Sequence, residues 1–295
     1  MNILLTGSSG FLGEIIIEKI NKFRINTLCR NAGDYKIDLK NQVPKFNKKY
    51  DLVIHAAGKA HLNPKNSIDE KQFFEINVVG TKNLLLGLDN SATPNRFVFI
   101  SSVSVYGLEH GVLINEDHPL NAKDPYGLSK IQAENLVINW CEKNNVICTI
   151  LRLPLLVGEN PPGNLGTMIN AIKNGYYFNI GKGKARKSMV LADDIAEIIV
   201  KVSEIGGVYN LTDGYHPNFN ELSNVIGVKY GTKIFNLPIF IAKIIAIIGD
   251  FLGSISPLDS FKFKKITSDL TFDDSKARQI LGWNPKKVID YYNIR

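Results

Sequence analysis

Tyr126 and Lys130 stand four positions apart in DPYGLSK, residues 124–130, a spacing that puts a phenol and an ammonium on one face of a helix. The pair could work as an acid/base couple. A phenol with a pKa near 10 is a poor base at neutral pH, and bringing it to about 7 takes roughly 4 kcal/mol of differential stabilisation. An adjacent ammonium can supply part of that. Tyr126 would then exchange a proton with a hydroxyl or carbonyl while Lys130 holds charge beside it. With eleven tyrosines in the chain, the spacing by itself does not separate this reading from a surface Tyr and Lys.

The flanking residues predict the element that carries the pair. Asp124 is a good N-cap and Pro125 suits the first helical position, so a helix should open there and run through IQAENLVINWCEKNN. Around it, the short apolar runs NILLT, INTLC, DLVIHAA, RFVFIS and VICTILRL alternate with helical patterns such as FLGEIIIEKINKF and FFEINVVGTKNLLLGL. That alternation predicts an α/β fold with a doubly wound parallel sheet. DLVIHAA and RFVFIS are nearly continuous in apolar residues, as strands covered on both faces should be. After Arg152 the chain turns Pro/Gly/Asn-rich in LPLLVGENPPGNLG. A first domain is therefore placed at 1–155, with a returning segment at about 188–213, and a smaller lobe mainly at 156–295.

TGSSGFLG, residues 6–13, follows the first strand and opens the first helix, with Gly7, Gly10 and Gly13 at offsets of three. In this strand-turn-helix context small residues let the backbone approach a pyrophosphate at a helix N-terminus. The spacing differs from GxGxxG. TGxxGxxG resembles the extended short-chain dehydrogenase/reductase family, which includes nucleotide-sugar epimerases and dehydratases built on a Rossmann sheet. The resemblance runs along nearly the whole chain. It places Asp38 and Leu39 of KIDL near an adenine, and HAAG, with Ala56, Ala57 and Gly58, after the fourth strand. NVVGTKNLL, with Asn77 and Thr81, resembles the family's central helix, and FISSVSVYG its strand ending in the catalytic hydroxyl, here Ser102. YGLSK is then its YxxxK, and SKARQILGWNP is similar to its closing helix.

What the resemblance implies is a catalytic set of Ser102, Tyr126 and Lys130. The NAD(P) site would comprise Gly7, Gly10, Phe11, Leu12, Gly13, Arg30, Asp38, Leu39, Ala56, Ala57, Gly58, Asn77, Tyr126 and Lys130. Two departures narrow the chemistry. Family 4,6-dehydratases carry Asp-Glu directly after the catalytic hydroxyl, whereas this chain has Val103 and Ser104, facing the substrate, so dehydration is not expected. At the end of the second strand, NAD-selective members place an acidic residue, whereas this chain has Arg30. An arginine there can meet a 2′-phosphate, which slightly favours NADP(H) over NAD(H). In the second lobe, Asn164 of PPGNLGTMI and the Arg186-Lys187 pair of KARKSMV resemble the family's diphosphate contacts; a helix-capping asparagine and a solvated basic turn are the alternatives. His55 reads as a packed strand-end histidine.

Composition sets the outer limits. The chain has 295 residues, 44% of them apolar, an ordinary globular balance that argues against disorder and fibre. Its formal charge of +7 is scattered except in GKGKARK and KFKK, with no aromatic-interleaved stripe, so an anionic small molecule is expected and nucleic acid is not. Cys29, Cys141 and Cys148 lack metal-type spacing and read as free thiols, with no metal site. MNILLTGSSG does not read as a signal peptide, and cytoplasm is the expected address. The longest apolar stretch, IFIAKIIAIIG at 239–249, falls short of the roughly 20 residues of a membrane span. It reads as a core helix in preference to a membrane-surface helix.

Three functions fit. One is a reductase carrying hydride to C4 of a UDP- or dTDP-4-keto-hexose for surface polysaccharide. Another is a 4-epimerase that retains its NAD. The third is a non-catalytic nucleotide-sensing scaffold, against which the retention of both Tyr126 and Lys130 speaks. The expected partner is a nucleotide-diphosphate sugar, with a homodimer left open.

Overall fold

Alternate residues of the short apolar runs point to opposite faces of one parallel sheet. Ile3, Leu5, Leu52, Ile54 and Val98 enter one core layer, while their neighbours Leu4, Val53, Phe97 and Phe99 enter the other. A strand buried on both faces has no polar side to show, which explains the unbroken apolar runs. The computed structural model describes residues 1–60, 67–252, 256 and 258–294.

The first half runs β1 (Asn2–Thr6), α1 (Phe11–Lys19), β2 (Arg24–Cys29), β3 (Tyr35–Lys36), β4 (Leu52–His55), α2 (Ser67–Phe74), a π-helical turn (Glu75–Val79) and α3 (Gly80–Asp89). There follow β5 (Arg96–Ser102), a 3₁₀ turn (Val103–Tyr106), β6 (Gly111–Ile114), α4 (Pro125–Lys143) and β7 (Ile147–Leu153). The remainder runs β8 (Leu155–Val157), α5 (Gly163–Lys173), β9 (Phe178–Ile180), β10 (Met189–Leu191), α6 (Ala192–Val202), β11 (Gly207–Asn210) and α7 (Phe219–Tyr230). It closes with β12 (Phe235–Leu237), α8 (Ile239–Leu252), α9 (Ser260–Thr267), β13 (Leu270–Phe272), α10 (Ser275–Leu281) and α11 (Val288–Ile294).

The main sheet has seven parallel strands in the order β11-β7-β5-β4-β1-β2-β3. The chain leaves β1 toward β2 and β3, then returns to β4 on the other side. Such a reversal opens a crevice at the carboxyl ends of β1 and β4, the usual seat of a nucleotide in this architecture. Helices α1 and α6 pack on one face and α3 and α4 on the other. A smaller core of Val157, Leu165, Ile172, Met189, Leu222 and Ile226 joins α5, α7, β8 and β10.

One expectation fails. The 239–249 stretch is α8, but it is not a core helix: only Ala242, Ala246 and Gly249 are buried, whereas Phe240, Ile244, Ile247, Ile248 and Phe251 are exposed. The helix packs through its small residues and turns its large ones outward, an arrangement to which composition is blind. None of the helices among the described residues is long and apolar enough to cross a membrane.

Candidate active site

The glycine turn between β1 and α1 leaves no room for side chains. Gly7 has φ +73°, and a Cβ there would lie 2.6 Å from the Ala57 backbone nitrogen. A Cβ at Gly13 would lie 2.1 Å from the Gly7 carbonyl oxygen. The turn is therefore pressed against the Ala56-Ala57 segment after β4, and α1 begins at Phe11 behind Gly10, which provides no side-chain cap. Its first-turn N–H groups remain available to an anion, and the helix dipole favours one there. Leu12 is buried and Phe11 half-buried. These residues fit a dinucleotide pyrophosphate.

Arg30 lies exposed just past β2, and Asp34 does not neutralise it. The Asp34 carboxylate instead accepts from the Thr27 backbone N–H at 2.8 Å and hydroxyl at 3.0 Å, bonds that lower its pKa. Asp38 folds its carboxylate back on the Lys40 N–H and the Asn41 amide, while the Leu39 side chain enters the core.

A buried hydrogen-bond chain ties this crevice together, and sequence reading missed it. The Ala57 N–H donates to Thr6 Oγ1 at 3.2 Å, and Thr6 Oγ1 lies 2.6 Å from His55 Nδ1. On the far side His55 Nε2 lies 2.9 Å from Thr81 Oγ1, which donates to the Asn77 carbonyl at 2.6 Å. Because the Thr81 proton is committed to Asn77, Thr81 accepts from Nε2–H, and Nδ1 accepts from Thr6. His55 is thus a neutral imidazole whose burial, assisted by the nearby Lys130 charge, holds its pKa down to about 3. It is the packed histidine expected. Nothing in the sequence pairs Thr6 with Thr81, since the contact exists only once β1, β4 and α3 are assembled.

Asn77 sits in the π-helical turn between α2 and α3, a local distortion of the predicted continuous helix of a kind often found at functional sites. Its side chain is fully engaged. Oδ1 accepts from the Lys59 N–H at 2.7 Å, and Nδ2 donates to the Lys59 carbonyl at 3.1 Å and to Ser129 Oγ at 2.9 Å. Asn77 therefore fastens the segment after β4 to α4, with Gly58 alongside: a Cβ on Gly58 would stand 3.1 Å from Asn77 Oδ1 and 3.9 Å from Lys130 Nζ.

The helix predicted from DPYGLSK is α4, capped as expected, with the Gly127 N–H donating to Asp124 Oδ1 at 2.9 Å. Tyr126 is half-buried against Phe73, ring centroids 5.8 Å apart. Burial pushes its phenol pKa up, the Ser102 hydroxyl works against that, and Asp124 adds to it. Ser102 ends β5 and caps the 3₁₀ turn, accepting from the Ser104 N–H at 3.2 Å. Val103 and Ser104 lie in that turn.

Lys130 is buried, and its ammonium donates to the Ile100 carbonyl at 2.6 Å and lies over the Phe99 ring, 4.2 Å from its centroid. Burial pushes its pKa down to about 8, and Glu134, one turn further on, opposes the fall. Glu134 is itself held by Arg152 in a buried two-point pair, Nη2 to Oε2 at 2.8 Å and Nε to Oε1 at 3.2 Å, and accepts from the Ser101 hydroxyl. The pair fixes the position of the Glu134 side chain one turn from Lys130.

Ser102, Tyr126, Lys130, Asn77, Gly58 and the glycine turn thus gather at the carboxyl edge of the sheet. The predicted diphosphate contacts lie on segments outside the main sheet. Asn164 is exposed in the first turn of α5, whose N-cap is Pro162, so it is not the capping residue. Arg186 is exposed, donates to the His216 carbonyl at 2.9 Å and makes a loose 3.8 Å pair with Glu221. Lys187 is buried, and its ammonium donates to the carbonyls of Lys265 and Ser268, each at 2.9 Å, at the end of α9. Burial lowers its pKa to about 8.

The model of the NAD dependent epimerase/dehydratase family matches residues 3–211, from β1 through the last strand of the main sheet. The chain belongs to that family. It is an enzyme of the extended short-chain dehydrogenase/reductase type, as its motifs imply. Among curated relatives it is similar to the N-acetyl-alpha-D-glucosaminyl-diphospho-ditrans,octacis-undecaprenol 4-epimerase of Escherichia coli O157:H7, 28% identical over 94% of this chain and 88% of the relative. It is also similar to a UDP-glucose 4-epimerase of Vibrio cholerae, 24% identical over 98% and 92% of the two chains. Among solved structures, the fold matches RMD from Pseudomonas aeruginosa complexed with NADPH, with a TM-score of 0.75, 20% identity and coverage of 99% and 96%.

Proposed function

We propose that the protein moves hydride at C4 of a hexose carried on a diphosphate, inverting that centre as a 4-epimerase. The hydride chemistry rests on Tyr126, the strand-end Ser102 and Lys130 converging beside the glycine turn, with Val103 and Ser104 where a dehydratase would need an acid and a base; the 4-epimerases among the relatives favour inversion over net reduction. Tyr126 takes the proton from the C4 hydroxyl and later returns it to the C4 oxygen. Ser102 orients that oxygen, and Lys130 supplies positive charge one turn along α4. Taking up and giving back the C4 hydride is the chemistry that a nicotinamide would supply when bound. Gly7, Gly10, Phe11, Leu12 and Gly13 would hold the pyrophosphate, Asp38 and Leu39 the adenine end, and Ala56, Ala57, Gly58 and Asn77 the floor of the nicotinamide half.

For the diphosphate we assign Arg186, which is exposed and, although Nη1 donates to the His216 carbonyl, meets Glu221 only loosely through Nη2, with Asn164 as a second contact. Lys187 is less suited because two carbonyls already hold its ammonium. The diphosphate would carry either a nucleoside or a polyprenol, the two classes named in the relatives. Incubation with UDP-hexoses and with a polyprenyl-diphosphate hexosamine, without added cofactor, should give C4 inversion of at least one. No inversion of either by protein carrying stoichiometric dinucleotide would overturn the epimerase reading.

A 4-keto reductase is the second reading, and Arg30 favours it. A charge-assisted hydrogen bond to a 2′-phosphate is worth about 1.5 to 3 kcal/mol, so NADPH should bind about tenfold or more tighter than NADH. Arg30→Asp should reverse that order in a fluorescence titration. Equal affinities in the unsubstituted protein would remove the argument for cofactor exchange, because an exchanging reductase draws on the NADPH pool.

A further inference from the structure

We propose that α8 and α9 form a docking surface for an anionic lipid bilayer. Along α8 the buried positions Ala242, Ala246 and Gly249 lie on one side, and on the helical period Phe240, Ile244, Ile247, Ile248 and Phe251 fall on the opposite side, all exposed. Phe251 is 88% exposed and Phe240 64%, values unusual for phenylalanine in a helix. Phe261 of the neighbouring α9 extends the patch. A contiguous apolar face of this kind marks an interaction surface.

Its surroundings say which one. Lys233 lies just before β12, Lys243 on the flank of α8, and Lys262, Lys264 and Lys265 on α9, against only Asp250 and Asp259 in 233–267, of which Asp259 pairs with Lys262 at 3.2 Å. Lys182 and Lys184 follow β9, which pairs with β12 at the entry to α8, where Gly181 approaches Ile239. Aromatic and aliphatic groups outward with lysines at their margin is the pattern of a helix lying in the interface of an anionic membrane. A second protein chain would need no such excess of one sign. At 14 residues α8 is about 21 Å long, which suits a helix lying flat and not one spanning.

The patch is also joined to the proposed diphosphate contact. The last carbonyls of α9 hold the Lys187 ammonium, next to Arg186, and Lys265 reaches Glu109 at 3.5 Å. A bilayer seated on α8 and α9 would bring the second lobe to the lipid surface, where a diphosphate carried on a polyprenol resides. That consequence rests on the C4 reading above; the docking surface does not.

The test is co-sedimentation of the full chain with phosphatidylcholine vesicles, with and without phosphatidylglycerol. The protein should pellet with the anionic vesicles and be released by high salt. Ile244→Glu/Ile248→Glu should lower partition by about tenfold or more, because each substitution replaces an inserted aliphatic group by a carboxylate near anionic headgroups. Its unfolding midpoint should stay near that of the unsubstituted protein, since these side chains face away from the protein interior. Lys243→Gln/Lys264→Gln should weaken binding to anionic vesicles alone. Failure of the unsubstituted protein to pellet at low salt, or undiminished pelleting of the Ile244→Glu/Ile248→Glu variant, would overturn the proposal. So would an oligomer that this variant dissociates together with unchanged vesicle binding, which would make a second copy the occupant. C4 turnover of a soluble nucleotide sugar is measured in parallel, so loss of docking and failure of the sugar reading are seen separately.

Discussion

Tyr126→Phe should lower turnover by about 100-fold or more while leaving dinucleotide affinity nearly unchanged. The substitution removes one oxygen. The ring still packs against Phe73, and the glycine turn and the helix N-terminus that hold the pyrophosphate are untouched. Burial raises the phenol pKa and Asp124 raises it further, so the group is protonated at neutral pH unless charge is brought near it. A cationic nicotinamide would bring that charge when bound, adding to the Ser102 hydrogen bond that already works against the rise. Single-turnover measurement of hydride transfer, with dinucleotide binding followed separately by fluorescence, separates the two effects. Turnover within a few-fold of the unsubstituted protein would mean that another group handles the proton.

Lys130→Met should produce a split between activity and stability. Turnover should fall by about 100-fold or more and dinucleotide binding should weaken, because the positive charge beside the site is gone. Folding stability near neutral pH should instead hold or rise. Lys130 is buried with a pKa pushed from its ordinary 10.5 to about 8, so the folded chain binds this proton less tightly than the unfolded chain does. Between about pH 8 and 10.5 the unfolded state carries more of the proton. The contribution of Lys130 to stability therefore rises with pH across that window, and the burden of the buried ammonium is fully present below it. That burden is on the order of 3 kcal/mol. Methionine removes it, at the expense of the Ile100 carbonyl contact. Denaturant titrations at pH 7 and pH 10 should show the variant's advantage shrinking as pH rises. A large loss of stability at pH 7 would show that the ammonium is a structural tie.

The part of this protein that was legible in its sequence is the part decided by local chemistry. A glycine turn after an apolar strand works because Gly7 must adopt a positive φ and Gly13 must admit a carbonyl at its own Cα, and both demands fall within a few residues. Asp124 and Pro125 start α4 through bonds to the next turn, so the helix and the shared face of Tyr126 and Lys130 follow from spacing. The inner strands β1, β2, β4, β5 and β7 were readable because burial leaves mostly apolar residues, whereas the short edge strands β3 and β11 carry no such run.

The tertiary structure decided what depends on distant partners. The proton arrangement of His55 needs Thr6 and Thr81, and the placing of Glu134 one turn past Lys130 on α4 needs Arg152 from β7. Lys187 lies in a basic cluster that reads as an anion contact, yet its ammonium is spent on the carbonyls that end α9. The sharpest case is α8. Its apolar composition is the same whether protein or lipid covers the large side chains, so the sequence determines only that they avoid water. Which side of the helix meets the protein was settled by packing, where the small residues Ala242, Ala246 and Gly249 allow the close approach and leave the isoleucines and phenylalanines facing out.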